Sequence, residues 1–126
     1  MSIREIEHKI ATILERIAGE VALNTLALIS RDGRRIAYYS RTSIDPDLMS
    51  AVVAAILNAA EMAINSMGQG PLWEIVLRGQ MGFTVVSCAG TNFLLIGSGS
   101  PGADLGLIVA TLRDYAQLIT DILGGV

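Results

Sequence analysis

The chain has one cysteine and one histidine in 126 residues. A single cysteine, Cys88, forms no internal disulfide and gives no sign of an oxidising compartment. One histidine and one cysteine do not make a metal-ligand set. No Ser/His/Asp arrangement can be built around His8, which falls on the polar side of an amphipathic stretch with no convergent nucleophile. Paired carboxylates for acid–base work are also missing, because Glu61 stands alone and Asp45 and Asp47 are explained by helix capping. Basic excess is lacking too: nine Lys and Arg oppose twelve Asp and Glu, for a net charge of −3. Without a basic stripe there is no counterion release to drive nucleic-acid binding. Residues Met1 to Arg16 carry charge in every turn and have no apolar signal core, so a cytoplasmic protein is expected. Neither a repeat, a low-complexity tract nor an internal linker interrupts the chain, and one domain spanning 1–126 is expected. The expectation is a non-enzymatic protein without cofactor or metal.

Apolar surface, by contrast, is abundant. Hydrophobic residues make up 52% of the chain against 17% charged. A domain of this size buries only about two-thirds of its unfolded surface, so part of that excess is expected to face a partner.

Ile3, Ile6, Ile10, Ile13, Leu14 and Ile17 recur at helical steps, with Ser2 and Glu5 forming a capping box and Gly19 expected as the stop. Leu23 to Ser30 and Arg34 to Ser40 read as strands joined by Arg31-Asp32-Gly33, a hairpin signal. In the second strand Ile36 and Tyr38 are expected on one face, and Arg35, Ala37 and Tyr39 on the other. Asp45 and Pro46 open a second helix that runs to about Met67. Leu72–Arg78, Gly82–Cys88 and Asn92–Ser98 follow as strands with hairpin-length connections. Ser100-Pro101 is read as the start of a last helix whose inner stripe is Leu105, Ile108, Leu112, Tyr115, Ile119 and Ile122. Order αββαβββα with tight turns predicts an α+β fold: a five-stranded antiparallel sheet with helices on both faces.

The second helix is too apolar for a helix with its back to water. Between Leu48 and Met67 only Glu61 is charged, and Asn58, Glu61 and Asn65 share one narrow strip. A membrane span of this length would carry those three near its centre, at high cost, so stable membrane insertion is not expected. Alanines 54, 55, 59, 60 and 63 permit close approach of another helix. Gly97, Gly99 and Gly102 match G-x-G-x-x-G, but no parallel strand with an acidic residue follows, so a tight strand-to-helix turn explains them better than a dinucleotide. Cys88 reads as a small buried residue. Trp73 is open between a core position and an interface anchor.

The Thr25-to-Gly33 stretch, with an apolar run ending in Ser before Arg-Asp-Gly, and Gly97-to-Ser100 leading into Ala103-Asp104-Leu105-Gly106-Leu107-Ile108, resemble the Roadblock/dynein light chain family over essentially the whole chain. That resemblance implies a profilin-like sheet-and-helix plan and a dimer with an identical or paralogous Roadblock subunit. Its second strands would pair through Arg35, Ile36, Ala37, Tyr38 and Tyr39. Its second helices would lie side by side through Val52, Ala55, Ile56, Ala59, Ala60 and Ala63. The same likeness implies a Ras-like small GTPase as partner, with Asn58, Glu61, Asn65 and Arg31 as contact candidates. A light-chain-like adaptor bridging larger proteins, or a longin/profilin-like trafficking module, are the alternatives. Among exposed arginines Arg31 has a loop position and Arg34 and Arg35 flank it, while Arg113 is carried on a helix; none is nominated as an inserted finger.

Overall fold

Capping and periodicity set the helices where local chemistry is explicit. In the computed structural model, which describes residues 2–124, helix α1 (Ile3–Glu20) begins at Ser2, whose hydroxyl accepts the Glu5 amide at 3.2 Å. Helix α2 (Pro46–Ser66) begins at Asp45, whose carboxylate accepts the Asp47 and Leu48 amides. Proline at the first helical position loses nothing, since that amide has no partner in any helix. Two stops and starts differ from expectation. Gly19 lies inside the last turn of α1, which closes at Val21 by an amide bond to the Ile17 carbonyl. Helix α3 (Leu105–Leu123) starts four residues later than Ser100-Pro101, because Asp104 is the residue that accepts the Leu107 amide.

Strands β1 (Thr25–Ser30), β2 (Arg35–Ser40), β3 (Glu74–Gly79), β4 (Gly82–Ala89) and β5 (Phe93–Gly99) form one antiparallel sheet in the order β2-β1-β5-β4-β3. The last strand of the β3-β4-β5 meander inserts beside β1, so β2 and β3 become the two edges. Gly33 takes φ of +91° at the β1–β2 turn, a left-handed conformation that glycine adopts without strain.

The sheet divides two apolar layers. Leu26, Leu28, Val85 and Leu95 meet Ile10, Leu14 and Ile17 of α1 and Ile108, Leu112 and Ile119 of α3 on one face. Ala27, Ile29, Val86, Leu94 and Ile96 meet Val53 and Leu57 of α2 on the other. Helices therefore cover both faces, as expected, but unequally.

In β2 the expected alternation breaks. Leu28 pairs with Ala37 while its neighbour Ile29 pairs with Arg35, so Ile36 is an extra residue in a β-bulge. Ile36 consequently joins Ala37 and Tyr39 against the α1–α3 layer, while Tyr38 turns towards α2. Arg35 turns the same way, reaching Asp47 at 3.3 Å. The pairing of Ile36 with Tyr38, and of Arg35 with Ala37 and Tyr39, is thus corrected by one inserted residue.

The G-x-G-x-x-G glycines are packing residues. A β carbon on Gly99 would sit 2.7 Å from the Ala22 carbonyl oxygen and 2.8 Å from the Phe83 ring. Gly97 and Gly99 belong to β5 rather than to a turn. Gly99→Ala is expected to cost about 2 kcal/mol in urea unfolding, since the backbone must move to admit the methyl. Ser100→Ala, one residue on and exposed, removes only the surface hydrogen bond that its hydroxyl accepts from the Asn24 side-chain amide, and should change stability by less than about 0.5 kcal/mol.

Candidate interaction surface

Of the 21 residues in α2 only Ser50, Val53 and Leu57 are buried. Residues 53 and 57 are one turn apart and face the sheet. The opposite side presents Leu48 (62% exposed), Val52 (48%) and Met62 (73%). Between them Ala51, Ala55, Ala59 and Ala63 recur every fourth residue, all exposed, a spacing that aligns them along one ridge of the helix. A 21-residue helix clad in water on this apolar side is unfavourable at roughly 25 cal/mol per Å² of apolar surface. By length and composition α2 also suffices to cross a membrane.

Beside this stripe runs the free edge of β2. The Arg41 amide donates to the Asn24 carbonyl at 2.8 Å. In an antiparallel ladder the bonded positions alternate, so Tyr39 and Ala37 face β1 while the peptide groups of Tyr38 and Ser40 point outward. Of the strand residues assigned to an interface, Arg35 is exposed, Ile36, Tyr38 and Tyr39 are half-buried, and Ala37 is enclosed by its own chain. On α2, Val52, Ala55, Ala59 and Ala63 are exposed, and Ile56 and Ala60 are half-buried. Leu48, Ala51 and Met62 belong to the same surface and were not singled out from sequence; the exposed periodicity beginning at Leu48 was the available signal.

The four polar candidates fall into one neighbourhood. The Arg31 guanidinium, carried on the β1–β2 turn, pairs with the Glu61 carboxylate of α2. It also donates to the Thr91 carbonyl at 3.2 Å. Asn65 lies one turn beyond Glu61, and both line a cleft of about 370 Å³ together with Arg31, Leu72, Cys88 and Thr91. Asn58 and Asn65 are exposed. Arg31 is thereby held on its own chain by two contacts, which is poor preparation for insertion into another active site.

Cys88 is half-buried on the α2 face. Burial pushes its thiol above the ordinary cysteine value; the Glu61 charge acts in the same direction, and Arg31 opposes it. A thiol so placed holds its proton and is a weak nucleophile. His8 is exposed on α1. No group of three or more His, Cys, Asp or Glu placed to hold a metal occurs among the described residues.

Trp73, left open from sequence, is 66% exposed. Its ring lies 5.5 Å from the Arg113 guanidinium, which also pairs with Glu74 at 2.7 Å. Trp73 is therefore a surface aromatic stiffened by a cation, at the edge of the sheet opposite β2.

Residues 9–96 match the Roadblock/LC7 domain family. An uncharacterized protein of Methanocaldococcus jannaschii is 30% identical over 92 residues, covering 73% of this chain and 80% of its own length. Among solved structures, Myxococcus xanthus MglB superposes with a TM-score of 0.87 at 16% identity, over 94% of this chain and 97% of that one. An MglB with tetrameric arrangement gives 0.83 at 22% identity, over 93% and 89%. At such identities the structural likeness speaks for the fold.

Proposed function

The chain belongs to the Roadblock/LC7 domain family, and on that basis we propose that residues 1–126 act as one domain that regulates or scaffolds a Ras-like small GTPase as a dimer, with no chemistry of its own. Two copies join their β2 edges and lay their α2 helices side by side. The polar flank of that helix pair, with Asn58, Glu61 and Asn65 beside Arg31, receives the GTPase.

The observation that carries this reading is the coincidence of two unpartnered features. The apolar outer stripe of α2 lies exposed, and β2 is an unpaired sheet edge. A second copy satisfies both at once: its β2 takes the outward peptide groups of Tyr38 and Ser40, and its α2 covers Leu48, Val52 and the alanine ridge. Lipid would cover only the helix, and would leave the Glu61–Arg31 pair in an apolar medium. Regulation then works by selecting a conformation of the GTPase, since a ligand shifts an equilibrium only by its differential affinity for the two states.

Titration calorimetry against a panel of Ras-like GTPases, each loaded with GDP or a non-hydrolysable GTP analogue, tests this. Binding of at least one of them at micromolar strength and with unequal affinity for the two nucleotide states is expected. The Asn58→Ala, Asn65→Ala double variant should weaken it roughly tenfold. A dimer that binds none of them in either state would leave the adaptor reading and remove this one.

A further inference from the structure

A cleft of about 320 Å³ is bounded by Leu72 and Trp73 ahead of β3, by Ser87 of β4, and by Arg113 and Gln117 of α3. Residues 113 and 117 are one helical turn apart and share a face. The volume is at the lower end of small-molecule sites, about 300–1,000 Å³, and suits a single ring.

Ser87 is the feature that fold and dimer leave unused. It is only 2% exposed, and its hydroxyl forms no hydrogen bond with any described residue. Among the described residues every fully enclosed side-chain oxygen and nitrogen has a partner. The Ser87 oxygen is therefore one that the cleft reaches, and Ser87 lines that cleft. A serine hydroxyl can both donate and accept, and one so nearly buried is costly to leave unpaired.

The charges around the cleft are already matched. Glu74 lies opposite Ser87 in the ladder and pairs with Arg113 at 2.7 Å. The Gln117 side-chain nitrogen donates to the Asp121 carboxylate at 3.0 Å, which leaves the Gln117 carbonyl oxygen as an acceptor. An ion entering here would lose water and meet no free counter-charge. What remains is a hydroxyl, a carbonyl, and an apolar wall made by Leu72 and the flat Trp73 ring, which Arg113 steadies. Those groups fit a flat, uncharged molecule with its own donor and acceptor.

We propose that this cleft binds a small uncharged nitrogen heterocycle carrying an amide or amine, packed on Trp73 and hydrogen-bonded to Ser87 and Gln117. The site is apart from the outer stripe of α2 and the β2 edge and does not rest on the GTPase reading, since its test uses the chain alone.

Nicotinamide is the probe. It is titrated into the isotope-labelled full chain and followed at the indole N–H resonance of Trp73, the only tryptophan in the sequence. A saturable shift with Kd on the order of 1 mM is expected, as a single ring of few atoms allows. Nicotinate has the same ring with a carboxylate in place of the amide, and should bind at least about tenfold more weakly. Ser87→Ala should weaken nicotinamide about three- to tenfold through the lost hydrogen bond. Its urea midpoint should stay at or above the parental one, because an unpaired hydroxyl has been removed; damage to the fold would lower it. Gln117 is exposed on α3, so Gln117→Leu leaves the core alone and should weaken the probe to a similar degree. If Ser87→Ala does not fold, Gln117→Leu decides. A shift that stays linear to about ten times the expected Kd would overturn the proposal. Nicotinate binding as well as nicotinamide, or either variant, folded, binding it at parental strength, would overturn it too.

Discussion

Ala59→Glu is expected to turn a two-copy protein into single copies, raising the dimer dissociation constant about 100- to 1,000-fold or more. Ala59 is in the middle of the exposed alanine ridge of α2, where two helices packed side by side come closest. A carboxylate there would be stripped of water by the second helix. Its symmetry mate would carry the same charge, and an apolar stripe offers no cation. Leaving a buried charge unpaired costs about 3–5 kcal/mol, and every 1.4 kcal/mol is tenfold in affinity. Within one subunit the same substitution touches nothing buried. Helical circular dichroism and the melting of the dilute single subunit should therefore stay near parental values while the mass in sedimentation halves. That pairing of outcomes separates a seam from a core. A parent chain that sediments as one copy at every concentration would remove the dimer and with it the placement of the GTPase.

Much of this surface could be read from residues alone, for a physical reason: it rests on local patterns. Asp45-Pro46 reports a helix start because capping is a contact between residues two and three apart. The over-apolar α2 could be recognised because helical periodicity shows which residues share a face, and too many of them were apolar for one sheet to cover. What could not be read depends on contacts between distant segments. The bulge at Ile36 exists only relative to β1, where Leu28 and Ile29 skip a partner, and a strand read by itself has no bulge. Gly97 and Gly99 look like a phosphate-binding spacing until Ala22, Phe83 and Leu112 are seen crowding them. Arg31 and Glu61 were both candidates, but their ion pair spans thirty residues and needs the sheet between them. The edge position of β3 likewise follows from β5 entering beside β1, a pairing that tight turns do not dictate.

Leu57→Ala is expected to do the converse of Ala59→Glu. Leu57 lies two residues away on the opposite side of α2 and is fully buried among Ala27, Ile29, Val53, Val86, Leu94 and Ile96. Because α2 buries only one other large apolar side chain, Val53, the docking of this helix on the sheet rests on the pair. Truncating a buried leucine costs about 2.7–5 kcal/mol through lost transfer energy and the cavity left behind; with so few neighbours to relax into the space, a value of about 4 kcal/mol is expected. For a chain of this length that lowers Tm by about 15 °C. It takes away a large fraction of a total stability on the order of 6–15 kcal/mol. Loosening α2 also blurs the position of the alanine ridge, so dimer affinity should fall along with Tm rather than independently of it. Thermal melts of dilute and concentrated samples separate the contributions, because assembly raises Tm with concentration and core packing does not. A Tm within about 2 °C of the parent would mean that α2 is not held by the sheet. Its outer stripe would then have no fixed geometry to offer a second copy.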